Sequence, residues 1–186
     1  MTQRVDLATV MDRLAIDAVV TGYAVAVDDG DWAAYRELFA PGGRADYRSA
    51  GGIEGPAGEV AEWLAETMAR FPVRQHLIVN RRIELEDDCG APGDRALVRA
   101  DFVNPMRLAA AGAGTVAEAE ADSGAASATD AASATDATTA SATATATAPN
   151  FVAAGRYTFA LVRTRARDGW LLTGVTVHEK WRPLSV

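Results

Sequence analysis

Among its 186 residues the chain has one cysteine and two histidines. A single thiol cannot close an intramolecular disulfide, and so few imidazoles and thiols point to no clustered metal site. No run reaches the roughly 18 uninterrupted apolar residues that a membrane-spanning helix needs. The opening stretch, MTQRVDLATVMDRLAID, alternates charged and apolar residues and lacks the apolar centre of a signal peptide, so the expected location is the cytoplasm. Positive charge is missing from one region in particular. Residues 109 to 149 hold Glu118, Glu120, Asp122, Asp130 and Asp136 but no Lys or Arg, so they carry −5 of the formal −7 and leave −2 for the rest. A near-neutral remainder gives no electrostatic case for nucleic acid or an anionic membrane as partner.

The same region also lacks large apolar side chains. It is almost wholly Ala, Thr, Ser, Asp and Gly, and it cannot bury enough apolar surface to offset the entropy of ordering. Disorder is expected there, as an insertion between two strands of a single domain spanning 1–186.

What is present elsewhere is periodic. Leu7, Val10, Met11, Leu14, Ala18 and Val25 recur at three- and four-residue steps, predicting an amphipathic helix that stops at Asp28-Asp29-Gly30. Asp31 reads as the N-cap of a short second helix, DWAAYRELFA, halted by Pro41-Gly42-Gly43. Arg44 to Arg48 reads as a short strand with Ala45 and Tyr47 on one face. Pro56 opens a third helix whose stripe is Val60, Trp63, Leu64, Met68 and Phe71. Four strands follow: Gln75 to Glu86, one through Ala96 to Met106, Gly155 to Thr164, and Trp170 to Trp181. Helices first and then an antiparallel meander predict an α+β domain with helices on one face of a curved sheet.

His76 opens the first long strand, and Asn80 shares its parity. Asp28 closes the first helix, with Tyr23 five residues earlier. If the helices cover the concave side of the sheet, these groups and Tyr47 converge. An imidazole, a carboxylate that fixes its tautomer and a phenol that polarises a carbonyl make an acid–base apparatus. The residue types alone equally permit a hydrogen-bonded core histidine, a turn-forming aspartate and packing tyrosines. His178, among charged neighbours, reads as a solvent-edge residue. Cys89, in a turn-rich loop with no base beside it, reads as no nucleophile.

The ordered set YAVAVDDGDWAAYRELFAPGGRADYRSAGG, RQHLIVNRRIEL, GRYTFALVRTRARDGWLL and a late Trp resembles the SnoaL-like branch of the nuclear-transport-factor-2-like superfamily. Within it, the run D-x-x-D-W, then D-Y-R-S, then Q-H is similar to scytalone dehydratase. The resemblance implies an α+β cone, a strongly curved antiparallel sheet with N-terminal helices closing a pocket. It places a helix-end aspartate on Asp28, a pocket tyrosine on Tyr47 and a strand histidine on His76. The tyrosine before that aspartate is Val27 here, and a second pocket histidine falls near Met106. Against ketosteroid isomerase, Tyr23 falls on the oxyanion tyrosine, but the base position is Tyr47.

The resulting expectation is a cofactor-free, metal-free dehydratase, isomerase or cyclase acting on a small cyclic or polyketide-like molecule. His76, Asp28 and Tyr47 are the catalytic candidates. Tyr23, Asn80, Trp63, Phe102, Asn104 and Met106 are the substrate-binding candidates. The alternatives are a non-catalytic ligand-binding or assembly module and a small-subunit-like partner of a ring-hydroxylating dioxygenase. The expected assembly is a homodimer or homotrimer through the outer sheet face, with no nucleic acid and no membrane as partner.

Overall fold

The first helix, α1 (Leu7–Asp29), carries two apolar stripes rather than one. Ile16, Val20, Tyr23 and Val27 are buried, at four- and three-residue steps along one face. Leu7, Met11, Leu14, Ala18 and Val25, the stripe the periodicity selected for the core, lie on the opposite face and are exposed. The periodicity gives the helix correctly but cannot say which of two apolar faces the sheet takes. The sheet takes the stripe that contains the aromatic Tyr23, whose ring buries the larger area. Gly30 ends α1 in the left-handed conformation, φ 70°, as a chain-reversing cap requires.

The computed structural model describes residues 6–88, 91–109, 149–164 and 169–183. The expectations about Cys89 and about disorder between the ends of the 109–149 segment fall outside them. After α1 come α2 (Trp32–Glu37), β1 (Phe39–Asp46), a single 3-10 turn (Arg48–Ala50), β2 (Glu54–Pro56) and α3 (Ala57–Met68). The Asp31 side chain caps α2 by accepting from the Ala34 amide at 2.9 Å. Pro41, Gly42 and Gly43, read as the stop of that helix, lie inside β1, where the register against the last strand shifts between Phe39 and Arg44. Then follow β3 (Val73–Arg74), β4 (Leu77–Asp88), β5 (Ala91–Arg107), β6 (Phe151–Thr164) and β7 (Gly169–Trp181).

These strands form one sheet in the order β2-β1-β7-β6-β5-β3, with β4 also paired to β5. Every pairing is antiparallel except β1 with β7, so the curled sheet is mixed rather than purely antiparallel. The helices pack on its concave side and enclose a core rich in aromatic rings, with Tyr23, Tyr35, Tyr157 and Phe159 fully buried. Where the 109–149 segment leaves and returns, the chain ends are clasped. The Leu108 amide donates to Asn150 Oδ1 at 2.7 Å, and the Asn150 amide donates to the Met106 carbonyl at 3.0 Å. The strands on either side of the segment, β5 and β6, are antiparallel neighbours.

Candidate active site

β3 and β4 run along the same edge of β5, and His76 lies in the gap between them. Here the backbone leaves the ladder for a side-chain partner. The His76 amide donates to Asp28 Oδ2 at 2.8 Å, while His76 Nδ1 pairs with Asp28 Oδ1 at 2.6 Å. One carboxylate thus fixes both the main chain and the ring of the histidine. A carboxylate oxygen at Nδ1 can only accept, so in the neutral form of the ring the proton sits on Nδ1 and Nε2 keeps its lone pair. The imidazole is 7% exposed and the carboxylate 23%.

Asp28 lies in the last turn of α1, where a negative charge meets the negative end of the helix dipole. Arg74 answers both. Its Nε donates to the Asp28 carbonyl at 2.7 Å and its Nη1 to the Met68 carbonyl at 2.9 Å, capping the C-termini of α1 and α3 together. Gly30 makes room for this guanidinium, since a Cβ there would stand 2.8 Å from Arg74 Nη2. Arg74 was not singled out in the sequence, although an arginine two residues before the histidine is a readable sign of a helix-end partner.

His76 opens onto a cavity of about 320 Å³. Its wall is mostly apolar: Phe102, Met106, Trp63, Leu64, Phe71 and Val177 contribute to it. The polar groups reaching it from the interior are His76, Tyr47, Tyr157 and Asn104, while Arg70, Glu179 and Arg182 stand among its charged lining residues. Arg182 donates to Glu179 Oε2 at 2.6 Å and to the Ala50 carbonyl at 3.1 Å, and lies 5.0 Å over the Phe151 ring. Trp63 packs against Tyr47 with ring centroids 5.6 Å apart. Gly52 permits this arrangement, because a Cβ there would collide with the Trp63 ring and lie 2.8 Å from the Tyr47 Cβ.

Behind the wall is a cluster of phenols. The Tyr47 and Tyr23 hydroxyls share a short hydrogen bond. Tyr23 meets Tyr157 edge-on at 5.6 Å, and Asn104 Nδ2 donates to the Tyr157 hydroxyl at 3.4 Å. Burial pushes Tyr23 and Tyr47 well above the ordinary phenol range, and the neighbouring phenols add to the shift. Burial raises Tyr157 less, to about 12, because Asn104 and Tyr23 offset part of it through their hydrogen bonds. All three stay protonated at neutral pH and serve as donors rather than bases. Asn104 Oδ1 is buried and has no hydrogen-bond partner among the described residues.

The candidates therefore divide. Asp28, His76 and Tyr47 come together as expected, and Trp63, Phe102, Asn104 and Met106 line the cavity. Tyr23 does not line it. Val27, one turn further along α1, takes the wall position, and Tyr23 sits deeper, bonded to Tyr47. Asn80 is corrected outright: it is exposed on the outer face, where its Nδ2 donates to Asp101 Oδ2 at 3.3 Å. The cause is a bulge. Asn80 has φ 52°, and the β4–β5 register shifts between Val79 and Arg82, so inward parity passes from His76 and Ile78 to Arg81, Ile83 and Leu85. Tyr157 was missed, although Arg156, Tyr157, Thr158 and Phe159 alternate in a way that puts both rings inward. His178 is exposed, as read. Among the described residues, no three His, Cys, Asp or Glu side chains are grouped to hold a metal ion, and no helix is long and apolar enough to cross a membrane.

A curled sheet closed by helices over a cavity with a His–Asp pair defines an α+β cone. The chain belongs to the SnoaL-like domain family of the nuclear-transport-factor-2-like superfamily, whose profile matches residues 8–176. An uncharacterised protein of Mycobacterium tuberculosis is 31% identical over 103 residues, which cover 55% of this chain and 66% of that protein. The match thus spans just under two thirds of that relative's length. Solved structures share the fold. A hexachlorocyclohexane dehydrochlorinase, LinA-type3 of Novosphingobium barchaimii, superimposes with TM-score 0.63 at 14% identity, covering 97% of this chain and 95% of its own. A candidate scytalone dehydratase of Novosphingobium aromaticivorans gives 0.58 at 12%, covering 94% and 87%. The Kfla4162 protein of Kribbella flavida gives 0.63 at 19%, covering 93% of each.

Proposed function

We propose that the chain is a cofactor-free lyase that removes a proton from carbon and expels a leaving group from a small, largely apolar cyclic molecule. Dehydration is the leading form. The observation that carries this reading is the His76–Asp28 pair opening on a small, mostly apolar cavity. His76 Nε2 takes the proton from the carbon next to a carbonyl, and the C–H electrons form the enolate. Asp28 stabilises the imidazolium, and a phenol hydroxyl, Tyr157 or Tyr47, donates to the enolate oxygen. The enolate then collapses, the β C–O bond breaks, and the imidazolium returns its proton to the departing hydroxyl as water. Without a leaving group, return of the proton to another carbon makes the same apparatus an isomerase, and attack of the enolate on a second carbonyl makes it a cyclase.

Asn104 positions the substrate in this reading. Its buried, unpaired Oδ1 is an acceptor that a substrate hydroxyl would satisfy. Two of the fold neighbours bear names of elimination enzymes, a dehydratase and a dehydrochlorinase, in keeping with the elimination reading. The reaction is expected inside a soluble cytoplasmic protein.

The test uses a panel of cyclic β-hydroxyketones, with α-deuterium exchange and water loss followed by NMR. His76→Gln should slow exchange by roughly 10²–10⁴-fold while circular dichroism and ligand-induced thermal shifts stay unchanged. Equal exchange in the variant and the parent chain removes His76 from the chemistry.

A further inference from the structure

The outward stripe of α1 has a more regular spacing than surface decoration requires. Leu7, Met11, Leu14, Ala18, Thr21 and Val25 follow steps of four, three, four, three and four, the heptad spacing of a helix–helix seam. All six are exposed, Leu7 by 73%, Met11 by 58%, Leu14 by 60% and Val25 by 51%. No charged residue of α1 interrupts the row, and one guanidinium borders it, Arg81 Nη1 donating to Thr21 Oγ1 at 2.7 Å. We infer that this seam is the interface with a second copy of the chain, the two α1 helices packing antiparallel about a two-fold axis.

The occupant follows from the pattern. In an antiparallel pair centred near residue 16, Leu7 faces Val25, Met11 faces Thr21 and Leu14 faces Ala18 of the other copy. Each layer sets a long side chain against a shorter one, so the surface is complementary to itself. One flank of the seam is Ala8, Ala15 and Gly22, small residues at seven-residue steps; Ala15 and Gly22 are half-buried against the chain's own core, Gly22 beside Leu38, so this side of the seam carries no bulky group. The other flank holds a single charge, Asp17, which would meet its own copy near the axis. Arg81 already pairs with it at 2.8 Å, so two neutral ion pairs, not two bare carboxylates, come together.

The outer sheet face is a weaker competitor. It exposes Leu77, Val79, Val103 and Trp181, yet its charged residues Asp101, Arg156 and Lys180 are bonded to one another. This inference is independent of the reaction assigned above.

Sedimentation of the full chain across a concentration series should show a dimer. Met11→Glu with Leu14→Glu should weaken it at least about a hundredfold while circular dichroism is unchanged. Val79→Glu, on the outer sheet face, should leave it intact. In a Cys89→Ser background, Leu14→Cys with Ala18→Cys should form a covalent dimer on oxidation. The proposal is overturned if the parent chain is a monomer, if the Met11/Leu14 variant stays dimeric, if Val79→Glu dissociates it, or if the cysteines fail to cross-link.

Discussion

Asp28 and Asp101 have almost the same side-chain exposure, 23% and 28%, and opposite prospects. Asp101 is the richer in partners: Arg156 at 2.8 Å, Lys180 at 3.2 Å and Asn80 at 3.3 Å. Hydrogen bonds from these three hold its carboxyl below the usual carboxylate range, with Arg156 the strongest. Asp28 has one histidine and faces inward. Interaction count therefore does not mark a chemical site. The Asp101 cluster lies on the outer face of the sheet, so its work is to hold strands together. Asp28's partner, His76, lines a mostly apolar cavity.

The widest gap between the two carboxylates is expected in turnover. Asp28→Asn should reduce it by about 10²–10⁴-fold, because an amide neither stabilises the imidazolium nor fixes the Nδ1–H tautomer. Asp101→Asn should leave kcat within about threefold, since exposed ion pairs contribute little. Equal losses in the two variants would erase the distinction. A smaller effect separates the phenols. Tyr157→Phe should lower kcat by about 10–10²-fold with an unchanged KM if its hydroxyl serves the transition state alone.

A third aspartate sharpens the comparison through stability. Asp12, buried near the start of α1, accepts from Arg163 in a short ion pair and from Trp170 Nε1 at 3.3 Å. The Arg163 hydrogen bond, against opposing burial, holds its carboxyl below the ordinary value. A depressed folded-state value means stability that is present above the unfolded value of about 4 and lost as pH falls through the folded one. Asp12→Asn should cost roughly 1–3 kcal/mol in urea unfolding at pH 7, and the difference from the parent chain should shrink below about pH 4. The smallest effect is again at Asp101. Its replacement should leave the urea midpoint at pH 7 close to that of the parent chain.

The three helices and the four long strands were legible because each has a local cause, whereas the short β2 and β3 were not. Gly30 and Asp31 mark one helix end and the next beginning, and alternation marks β5 to β7. The site was legible in part, because Asp28, Tyr47 and His76 keep the order and spacing of a recognisable family. What stayed hidden depends on tertiary choices. Asn80 left the cavity through a single positive φ, which asparagine tolerates but which no neighbouring residue demands. α1 offered two apolar faces, and only the sheet decides between them. Tyr157 needed β6 read for inward rings rather than for residues with familiar catalytic roles, and Arg74 needed two helix ends to be placed together first.

Asp28 grips His76 twice, by ring and by main chain. A lineage that lost this aspartate would lose the base's orientation and the anchor at the strand break in the same event. Neither residue can drift without penalty while the other stays. Under the proposed mechanism the pair would change only as a unit, whereas Phe102, Met106 or Trp63 could reshape the cavity without touching it.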